Sequence, residues 1–194
     1  MLSVNTIVTN TIEIKGSSFL AFLIPINIFE QNLNLLRQKH TKAVHFVSAT
    51  RAFNKEGQIL ESFSDDGEPK GTSGMPTLKV LRGYDLIECG VVSVRYFGGT
   101  LLGTGGLVRA YTEACKEVIL CAKEQGLLID FIKKEKQEIF VEFSQITQVE
   151  YLLKKYHLEV LNRDFIEKGV KLEITSGKEN LEFFLKDFRE LQFR

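Results

Sequence analysis

Two glycine-dense stretches between Ser64 and Tyr111 constrain this chain more than anything else in it. The first runs Ser64-Asp65-Asp66-Gly67-Glu68-Pro69-Lys70-Gly71-Thr72-Ser73-Gly74-Met75-Pro76. The second runs Arg95-Tyr96-Phe97-Gly98-Gly99-Thr100-Leu101-Leu102-Gly103-Thr104-Gly105-Gly106-Leu107-Val108-Arg109-Ala110-Tyr111. Glycine loses more backbone entropy on folding than any other residue. Such a density predicts turns with positive φ, or backbone that must approach something closely. Two readings follow: tight surface loops, or a site built largely from backbone N–H groups.

The same residues carry a family resemblance. The run Asp65-Asp66-Gly67-Glu68-Pro69-x-Gly71-Thr72-x-Gly74-x-Pro76 looks like the first signature of the IMPACT family. The run from Val91 through Arg95-Tyr96-Phe97-Gly98-Gly99 and Leu102-Gly103-Thr104-Gly105-Gly106 to Tyr111 resembles its second. Both motifs are long, and they stand in the right order and separation across residues 1–130. Met75 departs from the pattern, since the family usually has arginine or a similar residue there, and no cationic role is carried over to it. The resemblance implies a first domain with the fold of a ribosomal small-subunit protein's second domain, also found as domain IV of elongation factor G. It implies a small second domain like the last domain of that factor. It also implies a regulatory, non-enzymatic role: eukaryotic members act through protein partners in translational control under amino-acid starvation, a stress response.

Composition narrows the partners. Lys and Arg number 25 against 25 Asp and Glu, and the balance holds on either side of Lys133. Neither half is a module that binds nucleic acid by bulk charge, so any such site must be a local patch. Three cysteines (Cys89, Cys115, Cys121) form no C-x-x-C, and their odd number argues against a disulfide framework. No secretory h-region follows the first methionine and no apolar run approaches a membrane span. A cytoplasmic protein without a membrane partner is expected.

Residues 2–14 read as a strand, Lys15-Gly16-Ser17 as a turn, and Phe19 to Ile24 as the second arm of a hairpin. Asn27 is placed to cap a helix ending near His40. Ala43–Phe53 and Gln58–Phe63 read as paired strands. Thr72 or Ser73 is placed to cap a short helix with Pro76 in its first turn. The near-continuous apolar run from Leu86 to Arg95 predicts a central strand buried on both faces. A helix follows from about Thr104 to Lys123, with Leu107, Tyr111, Ala114, Cys115 and Val118 on its apolar face. The polar run Lys133–Lys136 falls where a domain boundary is expected. Beyond it the order β-α-β-β-α is that of a ferredoxin-like split βαβ unit, whose closing strand has only Gln192, Phe193 and Arg194 left to form it. The expected fold is α+β in two domains, residues 1–132 and 133–194.

Several chemistries fail on spacing. Gly103 is followed by Thr104-Gly105 where a Walker loop needs Lys-Ser/Thr, and Val108 stands where a Rossmann fingerprint needs its third glycine. What remains is a set of N–H groups at a helix start, flanked by Arg95 and Arg109, which suits an anion such as an RNA phosphate. Arg109 has the alternative of pairing with Glu113 four residues on. Asp65, Asp66 and Glu68 read first as an acidic turn capping nearby N–H groups, or as partners of Arg95 or Arg109 that tie the loops together. A hard metal ion is the further alternative, which would make the chain a hydrolase working through Asp65 and Asp66. His40, His45 and His157 form no metal motif, and no nucleophile elbow surrounds Ser64, Ser73 or Ser93. On the second loop Tyr96 is expected at the surface, as a face on which a base can stack, and Phe97 in the core.

The reading is therefore a non-enzymatic, translation-linked binding protein that contacts RNA or a ribosome-associated protein. Its anion site comprises Arg95, Tyr96, Gly98, Gly99, Gly103, Thr104, Gly105, Gly106 and Arg109, with Asp65, Asp66, Glu68, Lys70 and Thr72 ordering the facing loop. No metal, cofactor or catalytic residue is expected, and Arg95→Ala is expected to weaken binding in a chain that stays folded. A protein-only binding module using the same surface is the remaining alternative, which an exposed apolar patch beside the loops would favour.

Overall fold

The computed structural model describes residues 1–192. It divides into two compact units, Met1–Phe131 and a second beginning at Ile132.

Residues 2–14 form two strands, not one: β1 (Leu2–Val4) and β2 (Val8–Ile14), parted at the exposed residues Asn5, Thr6 and Ile7. The main sheet adds β3 (Ser17–Pro25), β4 (His45–Phe53), β5 (Ile59–Ser64) and β6 (Cys89–Tyr96), in the order β2-β3-β6-β4-β5 with every neighbour antiparallel. The apolar run therefore lies at the middle of the sheet, as its pattern predicts. Its residues alternate between two cores. Val92 and Val94 pack with Ile24, Phe29 and Phe46 beneath α1 (Phe29–Lys39). Cys89 and Val91 face the other way, toward α2 (Gly74–Gly83) and α3 (Gly103–Glu124). Val91, Val92 and Val94 are wholly buried, and each such burial stabilises the fold by about 1.5–3 kcal/mol. Helices on both faces explain why β6 reads as continuous rather than alternating.

The start of α1 differs from expectation. Asn27 lies inside a 3-10 turn, Ile26–Ile28, and makes no cap, because Pro25 at the end of β3 turns the chain directly into it. A short strand that no periodicity announces, β7 (Leu128–Asp130), returns after α3 to pair with β1.

The second unit holds β8 (Lys134–Glu142), α4 (Ile146–Lys155), β9 (Glu159–Ile166), β10 (Gly169–Gly177) and α5 (Lys178–Gln192). Its strand order is β8-β10-β9, with β10 antiparallel to both neighbours, the arrangement of a split βαβ. Ile139, Val141, Leu172 and Ile174 meet Val149, Leu153, Leu181 and Phe184 of the helices in one core. The polar run expected at the domain boundary begins just inside the second unit, where Lys134–Lys136 form the exposed start of β8 and pair with Thr175–Gly177. No fourth strand of this sheet occurs among the described residues; Gln192 ends α5, and Phe193 and Arg194, the rest of the expected closing strand, lie outside them. No helix among the described residues is long and apolar enough to cross a membrane.

Candidate functional site: the cleft between the glycine loops

The first glycine loop is ordered by Asp65. Its carboxylate accepts hydrogen bonds from the backbone N–H groups of Gly71 (2.7 Å), Ser73 (3.2 Å) and Gly74 (2.8 Å), and from the Ser73 hydroxyl (2.7 Å). It thereby caps α2, a role that neither Thr72 nor Ser73 performs as the sequence predicts. Thr72 instead turns its hydroxyl back to the Pro69 carbonyl at 2.6 Å. Burial raises the Asp65 pKa, but the donors from Gly71, Ser73 and Gly74 outweigh it and hold the carboxyl below the usual aspartate value.

Asp66 ties the loop to the sheet. One of its carboxylate oxygens takes Arg37 of α1 at 2.6 Å, and the other takes the Phe46 N–H. The Asp66 carbonyl lies 2.8 Å from His45 Nδ1. A carbonyl only accepts, so that ring nitrogen carries a proton. Both aspartates are thus engaged within the protein, and no group of three or more His, Cys, Asp or Glu able to hold a metal ion occurs among the described residues.

Glu68 sits deeper, with its side chain 3% exposed. Its Oε1 accepts from Arg95 Nη1 at 2.6 Å and from the Tyr111 hydroxyl at 2.7 Å. Its Oε2 stands 3.8 Å from His45 Nε2, beyond hydrogen-bond reach. The Arg95 guanidinium lies over the Phe19 ring at 5.5 Å and near the Phe97 ring at 5.9 Å, while its Nε–H is buried without an acceptor. Burial, and then the bond to Glu68, push the Tyr111 hydroxyl far above its ordinary pKa. The two glycine loops are therefore joined by a buried ion pair between residues 27 apart in sequence.

Above this floor a cavity of about 440 Å³ opens between the loops. Val44, Pro69, Phe97, Leu101, Leu102 and Leu107 wall it, with His45, Glu68, Arg95, Gly103 and Thr104 supplying the polar part. The close approach at Gly98 is to the protein's own backbone. A Cβ there would stand 1.9 Å from the Gly16 carbonyl carbon, so the close contact is with the β2–β3 turn. Gly103 needs its φ of +69° to enter α3, and has open space above it. Gly99, Thr104 and Gly105 are exposed, and Gly106 is half-buried against Leu102.

Three expectations change. Arg95 is 5% exposed and matched by Glu68, so its charge is not free for a phosphate. Tyr96 is half-buried in the core under α1, its hydroxyl 2.8 Å from His40 Nδ1, whereas Phe97 is 48% exposed at the cavity mouth. The exposed aromatic face therefore belongs to Phe97, not Tyr96. Strand parity puts Tyr96 opposite Arg95, and on this strand both faces are covered by helices. Lys70 orders nothing: it is exposed and without a partner among the described residues. Arg109 is exposed too and forms no pair with Glu113. Sequence reasoning missed His45 and Tyr111 as site residues. The Tyr111 hydroxyl on an otherwise apolar helix face was the available signal, since such a group, when buried, needs a partner.

With this geometry in place, comparisons with known proteins decide the kinship. The family model described as the Impact N-terminal domain matches residues 15–119, a span that contains both loops and α2. A Haemophilus influenzae protein described as an IMPACT family member is 33% identical over 183 residues, covering 92% of this chain and 85% of that one. The chain belongs to the IMPACT family. The IMPACT family member YigZ of Escherichia coli is 34% identical, over 81% of this chain and 77% of its own. A crystal structure of a protein described as hypothetical superposes with a TM-score of 0.70 at 29% identity, covering 98% of this chain and 91% of that one. The α+β architecture in two units is that of the family.

Proposed function

We propose that this IMPACT-family chain is a translation-linked regulatory protein of the cytoplasm that binds RNA in the cleft between its glycine loops. The translational side rests on family membership. The observation that supports RNA is where charge is left over. Within the cleft each acid has a partner: Asp65 the loop amides, Asp66 Arg37, and Glu68 Arg95. On the segments around it, Lys15, Lys42, Lys70 and Arg109 are all exposed and unpaired among the described residues. Lys15 adjoins Gly16, whose backbone abuts Gly98. Lys42 precedes Val44, Lys70 follows Pro69, and Arg109 lies beside Gly105 in the second turn of α3. Against these four cations the same segments carry two exposed acids unpaired among the described residues, Glu13 and Glu113, which leaves an excess of cations beside the cleft. The free N–H groups at the start of α3 add to it, and a polyanion is the ligand such a surface suits.

The test is fluorescence anisotropy with a short labelled single strand and a labelled hairpin across a salt series. Binding is expected to weaken with salt at a log–log slope of about 3 for the single strand, if four cations each meet a phosphate. Lys42→Glu with Arg109→Glu is expected to lower that slope by about 1.4. Absence of binding to either RNA at low salt refutes the reading. It would turn attention to a protein partner, which the exposed rim of Val44, Phe97 and Leu101 favours as a second reading.

A further inference from the structure

We infer that the cavity behind Phe97 is a nucleobase pocket, taking one unpaired base of a strand whose adjoining phosphate lies on the N-terminus of α3. The inference rests on the RNA reading and gives the site its specificity. The cavity measures about 440 Å³, within the range of sites that bury small molecules. Its walls are apolar, which suits the faces of a flat ring.

The floor is polar and only partly matched. Arg95, 5% exposed, holds Glu68 through Nη1 while its Nε–H has no acceptor. Glu68 Oε2 and His45 Nε2 stand 3.8 Å apart, too far to hydrogen-bond each other. An apolar side chain entering here would leave Glu68 Oε2 and His45 Nε2 unpaired. A phosphate on this floor would set a second anion against Glu68. A base edge carries ring acceptors beside amino donors, which is the combination this floor lacks. At the mouth, Phe97 is 48% exposed, with the Arg95 guanidinium 5.9 Å from its ring. An exposed ring backed by a cation is the platform on which unpaired bases stack. Gly103 and Thr104 line the same cavity at the start of a 22-residue helix. N–H groups that suit a phosphate therefore border the pocket itself.

The experiment compares two labelled strands of equal length, oligo(A) and the same sugar–phosphate backbone without bases, on the full chain and on Phe97→Ala. The wild type is expected to bind oligo(A) about tenfold more tightly than the base-free strand, the size of one base–aromatic stack. Phe97→Ala, at an exposed position, is expected to fold normally and to lose that preference while keeping its affinity for the base-free strand. Equal affinity of the wild type for both strands overturns the pocket and leaves RNA binding standing. A preference that survives in Phe97→Ala overturns it as well. Failure of both strands to bind removes the RNA reading itself and the pocket with it.

Discussion

Arg95→Ala is expected to destabilise the first unit strongly, in contrast to what its place in a glycine motif predicts. In the folded chain Arg95 and Glu68 are 6% and 3% exposed at the side chain, and 2.6 Å separates Nη1 from Oε1. Removing the cation leaves the carboxylate with the Tyr111 hydroxyl and no charge partner. Breaking one side of a buried pair costs about 3–5 kcal/mol, and loss of the guanidinium over Phe19 adds up to about 2 kcal/mol. Against a domain stability of about 5–15 kcal/mol that is a large fraction. Replacing both partners by apolar residues, as in Arg95→Met with Glu68→Leu, removes the desolvation penalty too and is expected to restore most of the loss. Tyr111 would then lack its acceptor, so the double variant is expected to stay about 1–2 kcal/mol below wild type. The assay is urea unfolding of the full chain followed by circular dichroism, fitted for two transitions because the chain holds two compact units. A midpoint for Arg95→Ala within about 1 kcal/mol of wild type would refute the reasoning, as would a double variant no more stable than the single one.

Two further outcomes follow from the loops. Asp65→Ala is expected to cost about 1–2 kcal/mol at neutral pH, the value of a helix cap. Because the folded Asp65 pKa is depressed, its contribution is complete above the ordinary value near 4 and is lost as pH falls through the lower folded value. Urea midpoints of wild type and variant should therefore converge on acidification toward pH 2, and a gap independent of pH would exclude this role. Among the glycines, Gly105→Ala should raise stability by about 0.5–1 kcal/mol, since the nearest atom to a new Cβ is Arg109 Nη1 at 3.7 Å. Gly98→Ala should lower the melting temperature sharply through its 1.9 Å clash with Gly16, and the opposite order of the two variants would contradict the structure.

The architecture was legible wherever one residue pattern decided one element. The run ending at Arg95 predicts a strand covered on both faces, and β6 is that strand. The 3.6-residue spacing from Leu107 to Val118 predicts α3 within a residue or two at either end. The site was legible as a place but less so in its roles. Asp65 reaches groups six to nine residues away, within the range of a local turn motif. The partners of Glu68 lie 27 and 43 residues away, and only the fold brings them together. The exchange of Tyr96 and Phe97 has the same origin. Alternation tells that neighbouring residues face opposite ways, but not that α1 covers one face of β6. Nor does it tell that the strand ends at Tyr96 and frees Phe97 from the sheet.

The glycines of the two loops differ in what requires them: positive φ at Gly67, Gly71, Gly99 and Gly103, close packing at Gly74 and Gly98, and neither at Gly105. At Gly74 a Cβ would stand 2.8 Å from the Ser64 carbonyl oxygen, and at Gly98 it would strike the β2–β3 turn. These glycines are explained by the chain packing on itself. Gly105 is different: it stands in a helix that alanine would stabilise, with space around it for a side chain. Folding gives no reason for a glycine there. A bare backbone at that point leaves the first turn of α3 open beside Arg109, next to the Gly103 and Thr104 that line the cavity. Among the glycines of the second loop, the one that neither packing nor a positive φ requires thus adjoins Thr104, which lines the cleft proposed to hold a phosphate.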